Sequence, residues 1–340
     1  MSGSMMAVAA EPGFARHETF HPRFGWLRKA VSQAGDGTAF VDPDATVKLG
    51  VGKNMVIAIR YWGLAFKVLE QRPNPARPRL PLVVPSRFGE KLLGDDGWDP
   101  YLEDPASLWL LHWKLLAPQC IAPTWWVAFN DFTAMQFRES QLMTHILELA
   151  SAAGWPPVVE SSVKKDVDCL IRTYTLRRQG RQVLDDVLDC PFRELGLIEN
   201  ASGDEGRAWR FVVGPKPTLP DALVAYAALE FASAVGQGAR SVSIARLAHE
   251  PGSPGAAFRL TETGLYESLS RFSTVHDRLS VAEPAGLRQL LFPDDPQALA
   301  AEILASYYQD SYADSDDDTA GSSVRAINAS VATGGRVLLT

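Results

Sequence analysis

Cysteine is scarce in this chain of 340 residues, which contains only Cys120, Cys169 and Cys190. These residues are too far apart for a CxxC zinc motif, and their odd number argues against a framework of disulfide bonds. The sequence therefore predicts a protein of a reducing compartment, the cytoplasm. We expect its cysteines to fill the core rather than to act as nucleophiles.

Long apolar runs are also missing. The longest, such as residues 108–116, are interrupted by charged residues well before the roughly 18 to 20 residues that span a bilayer. The chain has no GxxxxGK[ST], GxGxxG, HExxH or GxSxG motif in the required context. We therefore expect no membrane span, and the common ATPase, dinucleotide-binding, zinc-protease and serine-hydrolase signatures are absent.

Charge is unevenly distributed along the chain, which has a net charge of -7. Residues 1–92 contain 13 Lys and Arg against 7 Asp and Glu, a net charge of +6, which leaves -13 for the other 248 residues. Proteins bind the phosphate backbone through concentrated positive charge. The first third of the chain is therefore the candidate for contact with a nucleic acid.

The strongest local signal lies in residues 44–69. It predicts a short helix near Asp44, a turn at residues 49–52 and a long helix from Lys53, which is the order of a helix-turn-helix. Lys53, Arg60 and Lys67 are seven residues apart, so they drift by only about 20° per step and share one face of a helix. Asn54 flanks that face. The face would contact phosphates, or it would simply meet solvent on a helix that belongs to the core.

The whole pattern predicts a mainly α protein with small β-hairpins, an α+β class, built from tandem helix-turn-helix or winged-helix-like units. The proline-rich residues 71–85 are typical of a linker or wing, and a short helix followed by a hairpin is typical of the tail of a winged helix. We predict five segments: a flexible N-terminal arm (1–13), a basic helix-turn-helix or winged-helix domain (14–92), a helical domain ending in a winged-helix-like hairpin (93–216), a second helical or winged-helix-like domain (217–309) and an acidic disordered tail (310–340).

Two clusters could support metal-assisted cleavage of a phosphodiester. His17 and Glu18, close to Arg23, place an imidazole, a carboxylate and a guanidinium together. Asp99 lies in an oxygen-rich stretch, residues 95–104, that could hold a divalent cation. We therefore predict His17, Glu18 and Asp99 as catalytic residues, with Glu18 and Asp99 as metal ligands. The alternatives are that the first cluster anchors the N-terminal arm and that the second is a turn with a helix N-cap.

Asp166, Asp168, Arg172 and Tyr174 form a further cluster in the sequence. Their spacing does not place all four side chains on one face of a helix, so we expect a structural role for them.

Five segments, taken together and in this order, resemble the SspB family, formerly a domain of unknown function, which is found in bacterial gene clusters for DNA phosphorothioation. They are HETFHPRFGWLRKA, LGVGKNMVIAIRYW, GWDPYLEDPASLWLLHWKL, DVDCLIRTY and CPFRELGLIE, and the resemblance covers residues 14–292. It implies a DNA-binding protein of bacterial defence that nicks one strand so that sulfur can replace a non-bridging phosphate oxygen. It also implies work beside a cysteine desulfurase, an ATPase and an ATP pyrophosphatase-like protein.

Two hypotheses follow. In the first, the chain is a DNA nickase that hydrolyses one phosphodiester of double-stranded DNA with a carboxylate and histidine site and a divalent metal ion, Mg²⁺. In the second, it is a non-catalytic DNA-binding adaptor that recruits the sulfur-transfer enzymes. A cluster of Asp, Glu and His side chains in the fold would favour the first. Both hypotheses share one set of DNA-binding residues, Arg23, Lys53, Asn54, Arg60, Lys67 and Arg87.

Overall fold

The computed structural model describes residues 2–175, 189–202, 206–236 and 238–309. Over these ranges the protein is mainly helical and contains small antiparallel sheets of two or three strands. The predicted α+β class is therefore confirmed. The acidic tail predicted for residues 310–340 lies outside the described residues.

The first residues form a helix, α1 (Ser2–Ala9), rather than a flexible arm. Met6 is fully buried, and the Gly3 backbone packs so closely on the helix Glu139–Ala152 that a Cβ at Gly3 would come within 2.7 Å of the Ala152 backbone. Beyond α1, Ala10 pairs with Cys120 in a parallel bridge. The predicted arm is wrong because its few apolar residues find partners far away in the sequence.

The predicted helix-turn-helix elements are present. Gly50 ends the first helix with φ 62°, and its N–H donates to Thr46 and Val47. That conformation favours glycine, which explains the Leu-Gly turn in the sequence. We call the following elements the N-terminal module: α2 (Trp26–Ala34), α3 (Ala45–Leu49), α4 (Lys53–Ala65) and the hairpin of β1 (Leu69–Arg72) with β2 (Leu82–Pro85).

The central region is built around a helix, α6, that is buried on nearly all sides. Its sequence is apolar all round, as expected for a core helix. Asp104 caps its N-terminus by accepting a hydrogen bond from the Ala106 N–H, and Pro105 occupies the first turn. The elements of this region are α5 (Arg87–Leu93), α6 (Pro105–Leu116), α7 (Pro123–Asn130), β3 (Gln136–Phe137), α8 (Glu139–Ala152), α9 (Glu160–Tyr174), β4 (Ile198–Asn200) and β5 (Trp209–Phe211), with strand order β3-β5-β4.

The C-terminal region contains a three-stranded antiparallel sheet with strand order β6-β8-β7. Within the predicted second helical or winged-helix-like domain (217–309), residues 241–243, 280–282 and 289–291 are short strands that were not predicted individually. The elements are α10 (Asp221–Val235), β6 (Ser241–Ser243), α11 (Ile244–His249), α12 (Pro254–Phe258), α13 (Glu262–Val275), β7 (Ser280–Ala282), β8 (Gln289–Leu291) and a helix, α14, over residues 296–309.

One continuous hydrophobic cluster extends from Met6 to Tyr308, so the predicted domains share a core. Their boundaries stay a prediction. Cys120, Cys169 and Cys190 are buried and free, as the sequence indicated. In the described part of the chain, every helix is too short or too polar to cross a membrane.

Candidate functional site

The exposed side of α4 presents polar and basic side chains at its first turn. Lys53 and Asn54 are exposed, and Ile57, one turn later, is 40% exposed. The opposite side of the helix is fixed in the core by fully buried residues such as Ile59 and Trp62. Because the buried side anchors the helix, the exposed first turn is held in a defined place on the surface.

Arg60 lies further along α4 and is only partly exposed. Burial lowers the pKa of its guanidinium, and the nearby Arg16 lowers it further. Arg16 and Arg60 are therefore close together, and burial makes the positive charge of Arg60 unfavourable. An anion placed beside Arg16 and Arg60 would relieve that cost.

Lys67 does not continue the face of α4. The helix ends at Ala65, and Lys67 has φ 61°, in the left-handed region. Its ammonium donates to the Gln119 carbonyl oxygen at 2.7 Å. The predicted row of Lys53, Arg60 and Lys67 on a single helix face is therefore wrong, because the chain turns before the third residue.

The hairpin loop of the N-terminal module adds two exposed arginines, Arg77 and Arg79. The loop lies beside the residues that lead into α3, and a cavity of about 420 Å³ lies between them. Arg77 and Arg79 were not among the predicted DNA-binding residues, although they lie in the proline-rich segment of residues 71–85. The clustering of arginine and proline was the signal that could have identified them.

Several cations of this region already have carboxylate partners, and others do not. Lys48 pairs with Asp42, and Arg72 pairs with Glu70 at 2.8 Å. Arg23 lies 3.4 Å from Asp189 and over the rings of Phe20 and Trp26. Across the described ranges, the exposed cations of residues 26–93 whose side chains have no ion pair or hydrogen bond are Lys53, Arg77, Arg79, Arg87 and Lys91, and Lys91 lies over the Trp98 ring.

His17 is buried and faces the core. Its Nε2 lies 2.9 Å from the Asp166 carboxylate, and its ring stacks on Trp62 with centroids 5.8 Å apart. Asp166 also accepts hydrogen bonds from the Ala15 N–H and the Thr124 hydroxyl. In this position His17 cannot contact a phosphodiester, so its catalytic assignment conflicts with the structure. The structural role expected for Asp166 fits these contacts.

Glu18 is partly exposed, and within the described residues its side chain makes no hydrogen bond or ion pair. Its φ is 52°, and that of Thr19 is 66°, so two consecutive residues occupy the left-handed region. The Arg172 guanidinium fixes this turn by donating to the Thr19 carbonyl oxygen at 2.8 Å. The strained turn separates the partly exposed Glu18 from the buried His17.

Asp99 is buried at 6% exposure. Its two oxygens accept the backbone N–H groups of Glu103 at 2.8 Å and of Asp104 at 3.1 Å. Burial raises the pKa of the Asp99 carboxyl, and its hydrogen bonds act in the opposite direction. This geometry matches the alternative of a turn that leads into a helix N-cap.

The structure does not join the predicted catalytic residues into a metal site. The partners of His17 and those of Asp99 do not overlap, and both oxygens of Asp99 are occupied by backbone donors. Over residues 2–309, apart from the short gaps in the description, no group of three or more His, Cys, Asp or Glu side chains could hold a metal ion. The predicted ligands Glu18 and Asp99 therefore do not fit a shared metal ion.

We predict that Asp99→Asn lowers the free energy of unfolding by about 1 to 3 kcal/mol, because an amide can accept only one of the two backbone hydrogen bonds. Denaturant unfolding of the variant and of the exposed control Asp96→Asn measures this difference. A stable Asp99→Asn protein that has lost a DNA-directed activity would instead support the catalytic assignment.

Comparison with known proteins gives a family. The model of a protein family of unknown function, DUF4007, matches residues 14–308. A crystal structure of magnesium ion-bound SspB is 42% identical, with a TM-score of 0.85, and the match covers 90% of each chain. Another SspB crystal structure is 41% identical, with a TM-score of 0.83, over 90% of this chain and 91% of that chain. No curated protein matches the chain.

Proposed function

We propose, because this chain belongs to the DUF4007 family and is similar to SspB, that it is the component of a DNA phosphorothioation system that binds double-stranded DNA through its N-terminal module. Its partners in this proposal are the cysteine desulfurase, the ATPase and the ATP pyrophosphatase-like protein implied by the family resemblance.

A single observation carries the DNA-binding part of the proposal. Lys53, Arg77 and Arg79 are exposed on the N-terminal module and lack a carboxylate partner in the part of the chain that the structure describes. A cation already paired with a carboxylate must give up that partner before it binds phosphate, whereas an unpaired one releases only counterions from the DNA. These residues are therefore available to a phosphate backbone.

The order of elements supports two winged-helix-like units. In the N-terminal module, three helices precede a hairpin; in the C-terminal region, α10, β6, α11 and α13 precede the hairpin of β7 and β8, and β6 pairs with β8. The exposed side of α13 is less suited to phosphate, because Arg271 pairs with Asp221 and Glu267 is exposed. We therefore assign DNA contact to the N-terminal module.

Strand nicking is the activity that the family resemblance suggests, and we propose it for this chain. The second candidate, a non-catalytic adaptor, is favoured by the burial of His17 and the occupied oxygens of Asp99. The similar structure with bound magnesium supports a proposal that this chain also binds Mg²⁺. Glu18 and Asp99 do not fit that ion, because both oxygens of Asp99 accept backbone hydrogen bonds.

The two candidates differ in what they do to a supercoiled plasmid. We expect the wild-type protein to convert supercoiled plasmid into the open-circular form, with EDTA lanes showing whether a divalent ion is needed. Plasmid that is shifted on a native gel but recovered supercoiled after removal of the protein would support the adaptor. Plasmid that is neither shifted nor nicked would contradict both candidates.

A further inference from the structure

A histidine and an aspartate meet at the junction of α7 and α8, away from all of the predicted site residues. Asp131 directly follows α7, and His145 lies in the second turn of α8. The Nε2 atom of His145 and an Asp131 carboxylate oxygen are 2.7 Å apart. The Phe132 ring packs edge-on against the imidazole, with centroids 5.3 Å apart. The ring orientation is therefore fixed from two sides.

The imidazole of the pair is exposed enough to contact a substrate. The His145 side chain is 34% exposed, whereas the Asp131 side chain is only 11% exposed. A cavity of about 350 Å³ opens beside the pair, and its lining includes Ser140, Thr144 and Glu148. The carboxylate thus lies behind the imidazole, and the imidazole lies at the cavity.

The hydrogen bond to Asp131 determines which ring nitrogen can act. A carboxylate oxygen accepts from Nε2–H, so in the neutral ring Nδ1 carries the lone pair. Among the described residues no group forms a hydrogen bond with Nδ1 of His145, and this atom is not fully buried. Nδ1 is therefore a free base that is reachable from solvent. An imidazole held by a carboxylate is the arrangement that general-base catalysis uses.

The remaining histidine pairs lack this combination. His17 and His112 are buried, and His21 is 7% exposed. His249 pairs with Glu262 at 3.1 Å, but its side chain is 68% exposed and lies on the open surface. Of the histidine–carboxylate pairs that the structure describes, only the His145–Asp131 pair combines three features: a short hydrogen bond, a partly exposed imidazole and an adjacent cavity.

We propose that His145 is the general base of phosphodiester cleavage and that Asp131 is its positioning residue. This inference rests on the proposed nicking activity and replaces the predicted His17. Nδ1 takes a proton from water while the water oxygen forms a bond to phosphorus. The bond from phosphorus to the leaving sugar oxygen breaks, and the imidazolium returns the proton to that oxygen. The products are one phosphomonoester end and one hydroxyl end.

The pair is connected to the N-terminal module through the packing of α7 against α4. Trp62 of α4 packs against Trp125 of α7, with ring centroids 5.3 Å apart. Asp131 lies six residues beyond Trp125, which corresponds to about 9 Å along a helix axis. The helix that leads into Asp131 therefore packs directly against α4, on the buried side of α4 that carries Trp62.

The test compares His145→Ala, Asp131→Asn and the double variant with the control His249→Ala. Two substrates are used: supercoiled plasmid, and bis(4-nitrophenyl) phosphate, a small diester that needs no DNA-binding surface. We expect His145→Ala to lower both rates by about 100-fold or more, with duplex affinity unchanged and partial rescue by added imidazole. The double variant should lose no more than His145→Ala alone, because Asp131 acts through His145.

The outcomes separate this inference from the proposed function. If wild type nicks plasmid and His145→Ala nicks equally well, the inference is overturned and the proposed function stands. If wild type binds duplex but cleaves neither substrate, both the nicking activity and its base are overturned. An equal loss in His249→Ala would also overturn the inference, because the effect would not depend on the cavity. Melting temperatures of each variant show that the proteins compared are folded.

Discussion

Alanine at Lys53, Arg77 and Arg79 together should weaken duplex binding by about 100-fold at roughly 0.15 M salt and lower the magnitude of the salt slope by about 2.7. Each of these exposed, unpaired cations is proposed to neutralise one phosphate, and each phosphate contact contributes about 0.9 to the slope. Equilibrium binding to a labelled duplex at several salt concentrations measures both quantities. Because phosphate contacts do not read sequence, the loss should be similar for duplexes of different sequence.

A matched triple variant controls for the change of net charge. Arg210, Arg246 and Arg271 are exposed on other parts of the surface and pair with Glu199, Glu250 and Asp221. Alanine at these three positions also removes three positive charges but should leave the salt slope nearly unchanged. Equal losses in both triple variants would show that the overall charge of the protein, rather than the N-terminal module, determines binding.

Asp166→Ala should lower the free energy of unfolding by about 3 to 5 kcal/mol, because it removes a buried carboxylate that is the shared acceptor of several hydrogen bonds. The Asp166 carboxylate accepts from the Ala15 N–H, the Thr124 hydroxyl and His17, so three donors, two of them fully buried, would lose their acceptor. Denaturant unfolding checks this value, and Asp96→Ala, at an exposed aspartate, should change it by less than about 0.5 kcal/mol.

The Asp166→Ala variant also decides the role of His17. A large loss of stability, with cleavage lost only in proportion to the unfolded fraction, is the result expected for a structural pair. If Asp166→Ala were as stable as wild type, the pair would contribute little to the fold. His17 would then again be a candidate for catalysis.

The longer helices could be predicted from the sequence because their signals are local. The Leu-Gly turn at residues 49–50 and the N-cap Asp104 each lie within one turn of the helix that they end or begin. The strands β6, β7 and β8 have three residues each. A run of that length is too short to show an alternating pattern, so the C-terminal sheet could not be predicted.

The candidate site was harder to predict because its contacts are not local. His17 and Asp166 are separated by 149 positions in the chain, and no periodicity indicates that they meet. Asp99 was recognised as part of an oxygen-rich stretch of the sequence, but only the structure shows that both its oxygens accept backbone hydrogen bonds. His145 and Asp131 are 14 positions apart, across a strand and the start of a helix. Their pairing depends on how α7 and α8 pack.

The most direct test of the central claim is cross-linking from one exposed position on α4. Ile57 is 40% exposed on the side of α4 that carries Lys53 and Asn54, whereas Val275, at the end of α13, is 80% exposed. A photoreactive benzoyl-phenylalanine at each position is irradiated with a labelled duplex. We predict a cross-link from Ile57 and none from Val275; a cross-link from Val275 alone would contradict DNA binding through the N-terminal module.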